Sequence, residues 1–139
     1  MTPDTTDLAL IVAEVSQRLG RRQILSPGEL LGSWSSFVDE CQEGYEYDYS
    51  EYLNDISVRN VLQAVIVDCR VSRRLVSSAW FAGELDVIDL RFKSLVESGP
   101  AVRPGDADWW MVKIPGFGGE DFVADTLERF GEVIALVAE

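Results

Sequence analysis

The chain has 139 residues and a mass of 15.5 kDa, enough for one domain with a core of its own. Twelve basic residues against 24 acidic ones leave a formal net charge of −12, which argues against direct nucleic-acid binding, since that needs a positive footprint. Histidine is absent, so the commonest general base and the commonest metal ligand are both missing. The composition leans towards a binding protein rather than an enzyme, with no metal and no cofactor expected.

A hydrophobic fraction of 47% and a mean hydropathy of +0.03 exclude wholesale disorder. No apolar run approaches the roughly 18 residues of a membrane span, and no signal-peptide pattern opens the chain. The expected setting is therefore the cytoplasm, away from any membrane.

Along the chain, Met1 to Thr6 reads as a frayed start and Asp7 as a cap. Leu8, Ile11, Val12, Val15 and Leu19 then follow one helical stripe, with Gly20, Arg21 and Arg22 suited to its C-terminus. Ser26-Pro27-Gly28-Glu29 is the clearest start signal. It has serine at the N-cap, proline next and glutamate closing a capping box, with Leu25 as a staple. Leu30, Trp34, Phe37, Val38 and Cys41 form the second stripe, ending near Glu43-Gly44. Val58, Val61, Leu62, Val65, Ile66 and Cys69 form the third. Leu53 falls off that stripe, so a break is expected around Asn54 to Ser57, with Asp55 or Ser57 capping the new helix. Phe81, Leu85, Ile88, Phe92 and Leu95 mark a fourth helix, starting near Ser72 to Ser77 and ending before Ser98-Gly99-Pro100. Residues 98 to 108 form a loop. Trp109 to Ile114 reads as a short strand or extended segment. Phe122, Thr126, Leu127 and Phe130 suggest a last helix stopped by Gly131, and the type of Val133 to Val137 is left open.

These elements predict an all-α fold: one domain over residues 1–139, a bundle of four or five amphipathic helices. The two short apolar segments after residue 108 leave room for an extended segment or small sheet, which would make the fold α+β. Cys41 and Cys69 lie 28 residues apart without a second pair, so they suit neither a zinc site nor a disulfide framework. Both are expected as buried core thiols.

Residues 39 to 55 read D-E-C-Q-E-G-Y-E-Y-D-Y-S-E-Y-L-N-D. They hold seven acids, no lysine or arginine, and all four tyrosines of the chain: Tyr45, Tyr47, Tyr49 and Tyr52. Clustered carboxylates steer a basic partner, and tyrosine is enriched at binding hot spots. The candidate partner-binding residues are Glu43, Glu46, Tyr47, Asp48, Tyr49 and Glu51. Tyr45 and Tyr52 are assigned to the core. The plainer alternative is a tyrosine stripe packed inward, with the acids as its solvated face.

The segment from Trp34 to Arg59, W-S-S-F-V-D-E-C-Q-E-G-Y-E-Y-D-Y-S-E-Y-L-N-D-I-S-V-R, resembles the immunity proteins of bacterial toxin systems. These include the DNase colicin immunity proteins and those of contact-dependent inhibition and polymorphic toxins. The resemblance covers about a fifth of the chain. It implies tight, reversible binding of a basic toxin through the acidic tyrosine surface. Acids and tyrosines are interleaved here, so individual residue roles do not carry over.

Other features are read structurally. Arg18, Arg21 and Arg22, and Arg70, Arg73 and Arg74, suit helix C-termini. Gly116-Phe117-Gly118-Gly119 reads as a flexible turn, because Glu120 and Asp121 would repel a phosphate. Glu84, Asp86 and Asp89 lack the shared face and the histidines of a carboxylate metal site. Trp109 and Trp110 carry the alternative function: a small helical ligand-binding or regulatory domain with a pocket beside them. The structural reading of the pair has one ring buried and one half exposed.

Overall fold

The computed structural model describes residues 5–76 and 78–137. In chain order the elements are α1 (Thr5–Arg18), α2 (Pro27–Glu43), α3 (Tyr49–Ile66), α4 (Cys69–Ser72), α5 (Ala79–Val96), α6 (Trp109–Val112), β1 (Phe117–Gly118), α7 (Glu120–Phe130) and β2 (Ala135–Leu136). Helix dominates, in line with the all-α expectation. Among the described residues the one sheet is a two-residue parallel pair, Phe117 opposite Ala135 and Gly118 opposite Leu136. Its second strand lies in Val133 to Val137, whose type was left open, but its first lies in the Gly116-Phe117-Gly118-Gly119 run read as a turn and not in Trp109 to Ile114. No helix among the described residues is long and apolar enough to cross a membrane.

Local chemistry sets the helix ends. Ser26 and Glu29 close the capping box reciprocally: the Glu29 N–H donates to Ser26 Oγ at 3.1 Å, and the Ser26 N–H donates to Glu29 Oε1 at 3.0 Å. Pro27 carries no N–H, so two of the three orphan N–H groups at this end of α2 are satisfied this way. At the far end Gly44 takes a φ of +110°. Helix α1 starts at Thr5, so Asp7 lies in the first turn rather than at the cap. The rest of the expected frayed start, Met1 to Asp4, lies outside the described residues, as does Ser77. Gly131, at φ +69°, closes α7 as expected.

The contacts divide the chain into two compact units: Met1–Ser35 with Ser57–Val87, and Ser36–Ile56 with Ile88–Glu139. In the first unit Leu8, Ile11, Val12 and Val15 of α1 are buried, as are Leu30 and Trp34 of α2 and Val58, Val61, Leu62 and Val65 of α3. These are the predicted stripes, apart from Leu19, which lies beyond the end of α1 and is exposed, Ile66, which is half-buried, and Cys69, which is exposed. In the second unit aromatic rings, Phe37, Tyr45, Tyr49, Tyr52, Phe92, Trp110 and Phe122, are buried together with aliphatic residues such as Val38, Ile56, Ile88 and Ile114.

Helix α3 corrects the expected break. It runs unbroken through Asn54 to Ser57. Its N-terminal half buries Tyr49, Tyr52 and Ile56, and its C-terminal half buries Val58, Val61, Leu62 and Val65 on a different face. The apolar stripe changes sides while the backbone continues, since the segment holds neither glycine nor proline. The two residues expected as caps are engaged elsewhere. Asp55 accepts the Tyr45 hydroxyl at 2.6 Å, and the Ser57 hydroxyl accepts Arg21 Nη1 at 2.8 Å.

Cys41 is buried as expected, but Cys69 is exposed. Helix α3 ends at Ile66, and Asp68 starts the single turn of α4 by accepting the Arg70 N–H at 3.0 Å. That restart takes Cys69 off the stripe. The Arg70 guanidinium, then its backbone N–H, holds the Asp68 carboxyl below its ordinary value. Trp109 to Val112 is one helical turn rather than a strand; only Lys113 beyond it pairs, in an isolated bridge to Ala101.

That bridge region sets a steric condition. A Cβ on Gly99 would lie 1.7 Å from the Ile114 carbonyl oxygen, and backbone cannot swing aside as a side chain does. Gly99→Ala is therefore expected to cost about 3 kcal/mol or more, measured by urea unfolding, whereas Gly105→Ala, which meets nothing, should stay within about 0.5 kcal/mol.

Candidate acidic interaction surface

The acidic tyrosine segment occupies the end of α2, the link Gly44 to Asp48 and the start of α3. Its four tyrosines separate by burial. Tyr45 and Tyr52 are each 1% exposed, as expected of core residues, and Tyr47 is 53% exposed. Tyr49, expected on the surface, is 3% exposed, which corrects its assignment as a surface anchor.

The reason lies in α7. Tyr49 is the first residue of α3, and its orphan N–H donates to Asp125 Oδ2 of α7 at 2.8 Å. Arg129 Nε reaches the same oxygen at 3.3 Å, and its guanidinium carbon stands 5.6 Å from the centre of the Tyr49 ring. The Tyr49 hydroxyl accepts Arg103 Nε at 3.3 Å. Phe130 meets the ring edge-on at 4.9 Å, and Tyr52 stacks at 5.7 Å. Neighbours from three parts of the chain thus enclose the side chain.

Tyr45 and Tyr52 continue the cluster. Tyr52 lies 5.2 Å from both Phe37 and Phe122, and Tyr45 lies 5.3 Å from Phe122. Each such pair contributes about 0.5–1.5 kcal/mol beyond burial. Burial, then the hydrogen bond to Asp55, pushes the Tyr45 phenol far above its ordinary value. Burial does the same to Tyr52, whose hydroxyl has no hydrogen-bond partner among the described residues.

The acids divide as well. Asp48 caps α3, its Oδ1 accepting the Glu51 N–H at 3.0 Å, so this candidate binding residue also carries a structural load. Asp55 is held by Tyr45. Glu43, Glu46 and Glu51 are exposed.

Two depressions adjoin at Tyr47. One, of about 250 Å³, is lined by Glu40, Glu43, Gly44, Glu46 and Tyr47. The other, of about 360 Å³, is lined by Tyr47, Asp48, Glu51, Asp121, Ala124, Asp125 and Glu128. No lysine or arginine lines either. Five of the six candidate residues therefore meet on one surface, and Tyr49 lies beneath it. Sequence reasoning missed Asp121, Asp125 and Glu128. Their spacing of i, i+4, i+7 puts them on one face of α7, but nothing local said that the face meets Tyr47. The close approach is visible at Gly119, whose N–H donates to the Tyr45 carbonyl at 2.8 Å and whose absent Cβ would crowd Glu46 Cα at 3.1 Å. The Gly-Phe-Gly-Gly run is thus a close-packing device rather than a flexible turn.

The tryptophan pair is packed as its structural reading expected. Trp110 is buried, and Trp109 is half-buried with its ring 5.8 Å from Trp110 and 6.3 Å from Phe92. Lys93 Nζ stands 4.6 Å over Trp109. Compared with family models, curated proteins and solved structures, the chain matches none.

Two tests follow from this geometry. Tyr47→Ala should stay within about 0.5 kcal/mol of the parent in thermal unfolding, whereas Tyr49→Ala should cost about 3–5 kcal/mol. Glu40 supplies a pH test. Burial, then the charges of Asp55, Glu46 and Glu43, raises its carboxyl above the ordinary 4.5. The folded state then holds this proton more tightly than the unfolded state, so the stability it contributes is present at low pH and lost as pH rises. Glu40→Gln should melt above the parent at pH 7, and the gap should close as pH falls below 4.5.

Proposed function

We propose that this chain is a non-catalytic binding protein: an immunity-type or antitoxin-like inhibitor that neutralises a basic protein in the cytoplasm. The helical bundle read from the sequence serves as scaffold for one acidic surface. The observation that carries the reading is Tyr47, an exposed ring at the junction of two depressions lined by eight carboxylates and no cation. The acids speed encounter with a cationic partner, and the ring provides the desolvated anchor. Glu43, Glu46, Tyr47, Asp48 and Glu51 form this surface, joined by Asp121, Asp125 and Glu128. Tyr49 supports it from below.

The charge distribution adds support. The second unit holds 17 acids and five bases, and the first holds seven of each, so the whole net charge of −12 belongs to the unit that carries Tyr47.

The test is direct. Basic proteins encoded by genes adjoining this one should be expressed and their binding followed by surface plasmon resonance. Association with the true partner should slow steeply from about 50 to about 500 mM salt, as the Debye length contracts from roughly 14 Å to about 4 Å. Tyr47→Ala should cost about 2 kcal/mol or more of affinity, and Glu46→Gln less, mainly in the on-rate. Binding that ignores both salt and Tyr47 would sink the proposal, as would the absence of any basic partner among the neighbouring gene products.

A further inference from the structure

The first unit carries a surface of opposite character. A groove of about 660 Å³ runs between the segment around α4 and the start of α5. Ala79, Ala82 and Gly83 of α5 line it, as do Val71 and Val76. Beside it on α5, Trp80 and Val87 are exposed, and helical spacing puts them on one face with Gly83. Two charges face the groove, Arg74 and Asp86. Neither side chain makes an ion pair or hydrogen bond among the described residues, in a chain with two acids for every base.

Arg74 is unusual in its backbone too. It closes α4, its N–H donating to the Val71 carbonyl at 2.9 Å and the next N–H, of Leu75, to the Arg70 carbonyl at 2.8 Å. The residue in that position must be left-handed, and glycine is the usual choice. Gly20 fills the same role after α1 at φ +75°. Here an arginine does so at φ +58°, the only non-glycine residue of positive φ among those described. A glycine would relieve the strain and lose the guanidinium.

We propose that this groove is a self-association surface, occupied by a second copy of the chain about a two-fold axis. Charge selects that occupant. Two chains of net charge −12 repel, but the first unit, with seven bases and seven acids, has no net charge, so copies approach there at least electrostatic cost. A two-fold contact is self-complementary, so Arg74 of each copy meets Asp86 of the other and both unpaired charges are satisfied twice. Trp80 of each copy then has the small-residue side of the partner's groove to pack on, the kind of aromatic anchor that dominates interfaces.

Sedimentation equilibrium of the full chain from about 1 µM to about 500 µM tests this, with folding of each variant checked by circular dichroism. The parent should form dimers in that range. Arg74→Glu and Asp86→Arg should each weaken dimerisation about tenfold or more, and the double variant, which restores opposite charges across the axis, should recover most of the loss. Trp80→Ala should weaken it without the salt dependence of the charge variants. Arg74→Gly should melt above the parent yet dimerise less well, a split that a purely structural arginine would not give. Tyr47→Ala should leave the dimer unchanged, which keeps this test separate from the proposed inhibitor surface. A parent that stays monomeric to about 500 µM overturns the proposal. So does a dimer that neither the charge variants nor Trp80→Ala moves. A monomer retaining a small molecule in native mass spectrometry overturns it as well, by giving the groove another occupant.

Discussion

The carboxylate of Asp125 closes the start of α3 from another helix, and the acidic surface depends on that closure. A helix of 18 residues begins with N–H groups that its own backbone cannot satisfy. Asp48 takes one of them from inside the segment, and Asp125 of α7 takes another. Both are anions at the positive end of the helix dipole, where negative charge is favoured. The bond to Asp125 also holds α7 against the tyrosine segment. It buries Tyr49, aligns Asp121 and Glu128 with the acids of residues 43–51, and leaves Tyr47 as the ring that remains outside.

Concentrating carboxylates carries a cost that this arrangement spreads. Like charges within one segment oppose folding, and at Glu40 they add to burial, the larger cause, in raising the carboxyl. Several acids are given hydrogen-bond or ion-pair partners. Asp48 and Asp125 accept backbone N–H groups, Asp125 also meets Arg129, and the arginine of α5 at position 91 pairs with Asp39. Beneath them the aromatic cluster contributes burial that no charge weakens. Glu43 and Glu46, without such partners among the described residues, face solvent at little structural cost.

The two units differ in what they present. One has all the net charge and an exposed tyrosine; the other is neutral, with exposed Leu75, Trp80 and Val87 around its groove. The chain's charge is thus divided between an acidic unit and a neutral one. Composition alone reports only the total.

Much of the architecture was legible in the order of residues, because helix signals are local. The capping box at Ser26, the buried stripes of α1 and α2, and the glycine stop at Gly131 follow from spacings of three and four residues and from single backbone conformations. The same is true of Tyr45 and Tyr52 as core. Tertiary contact decided the rest. Asp55 and Ser57 looked like caps until Tyr45 and Arg21 engaged them, so α3 runs on where a break was expected. Tyr49 looked like an exposed anchor until Asp125, 76 residues later, met its backbone. Asp121, Asp125 and Glu128 looked like the start of an unremarkable acidic helix until Gly119 let α7 lie against Tyr45. Periodicity shows which face of a helix is apolar, but not which distant carboxylate will satisfy its first N–H. That pairing exists only once the chain has closed on itself.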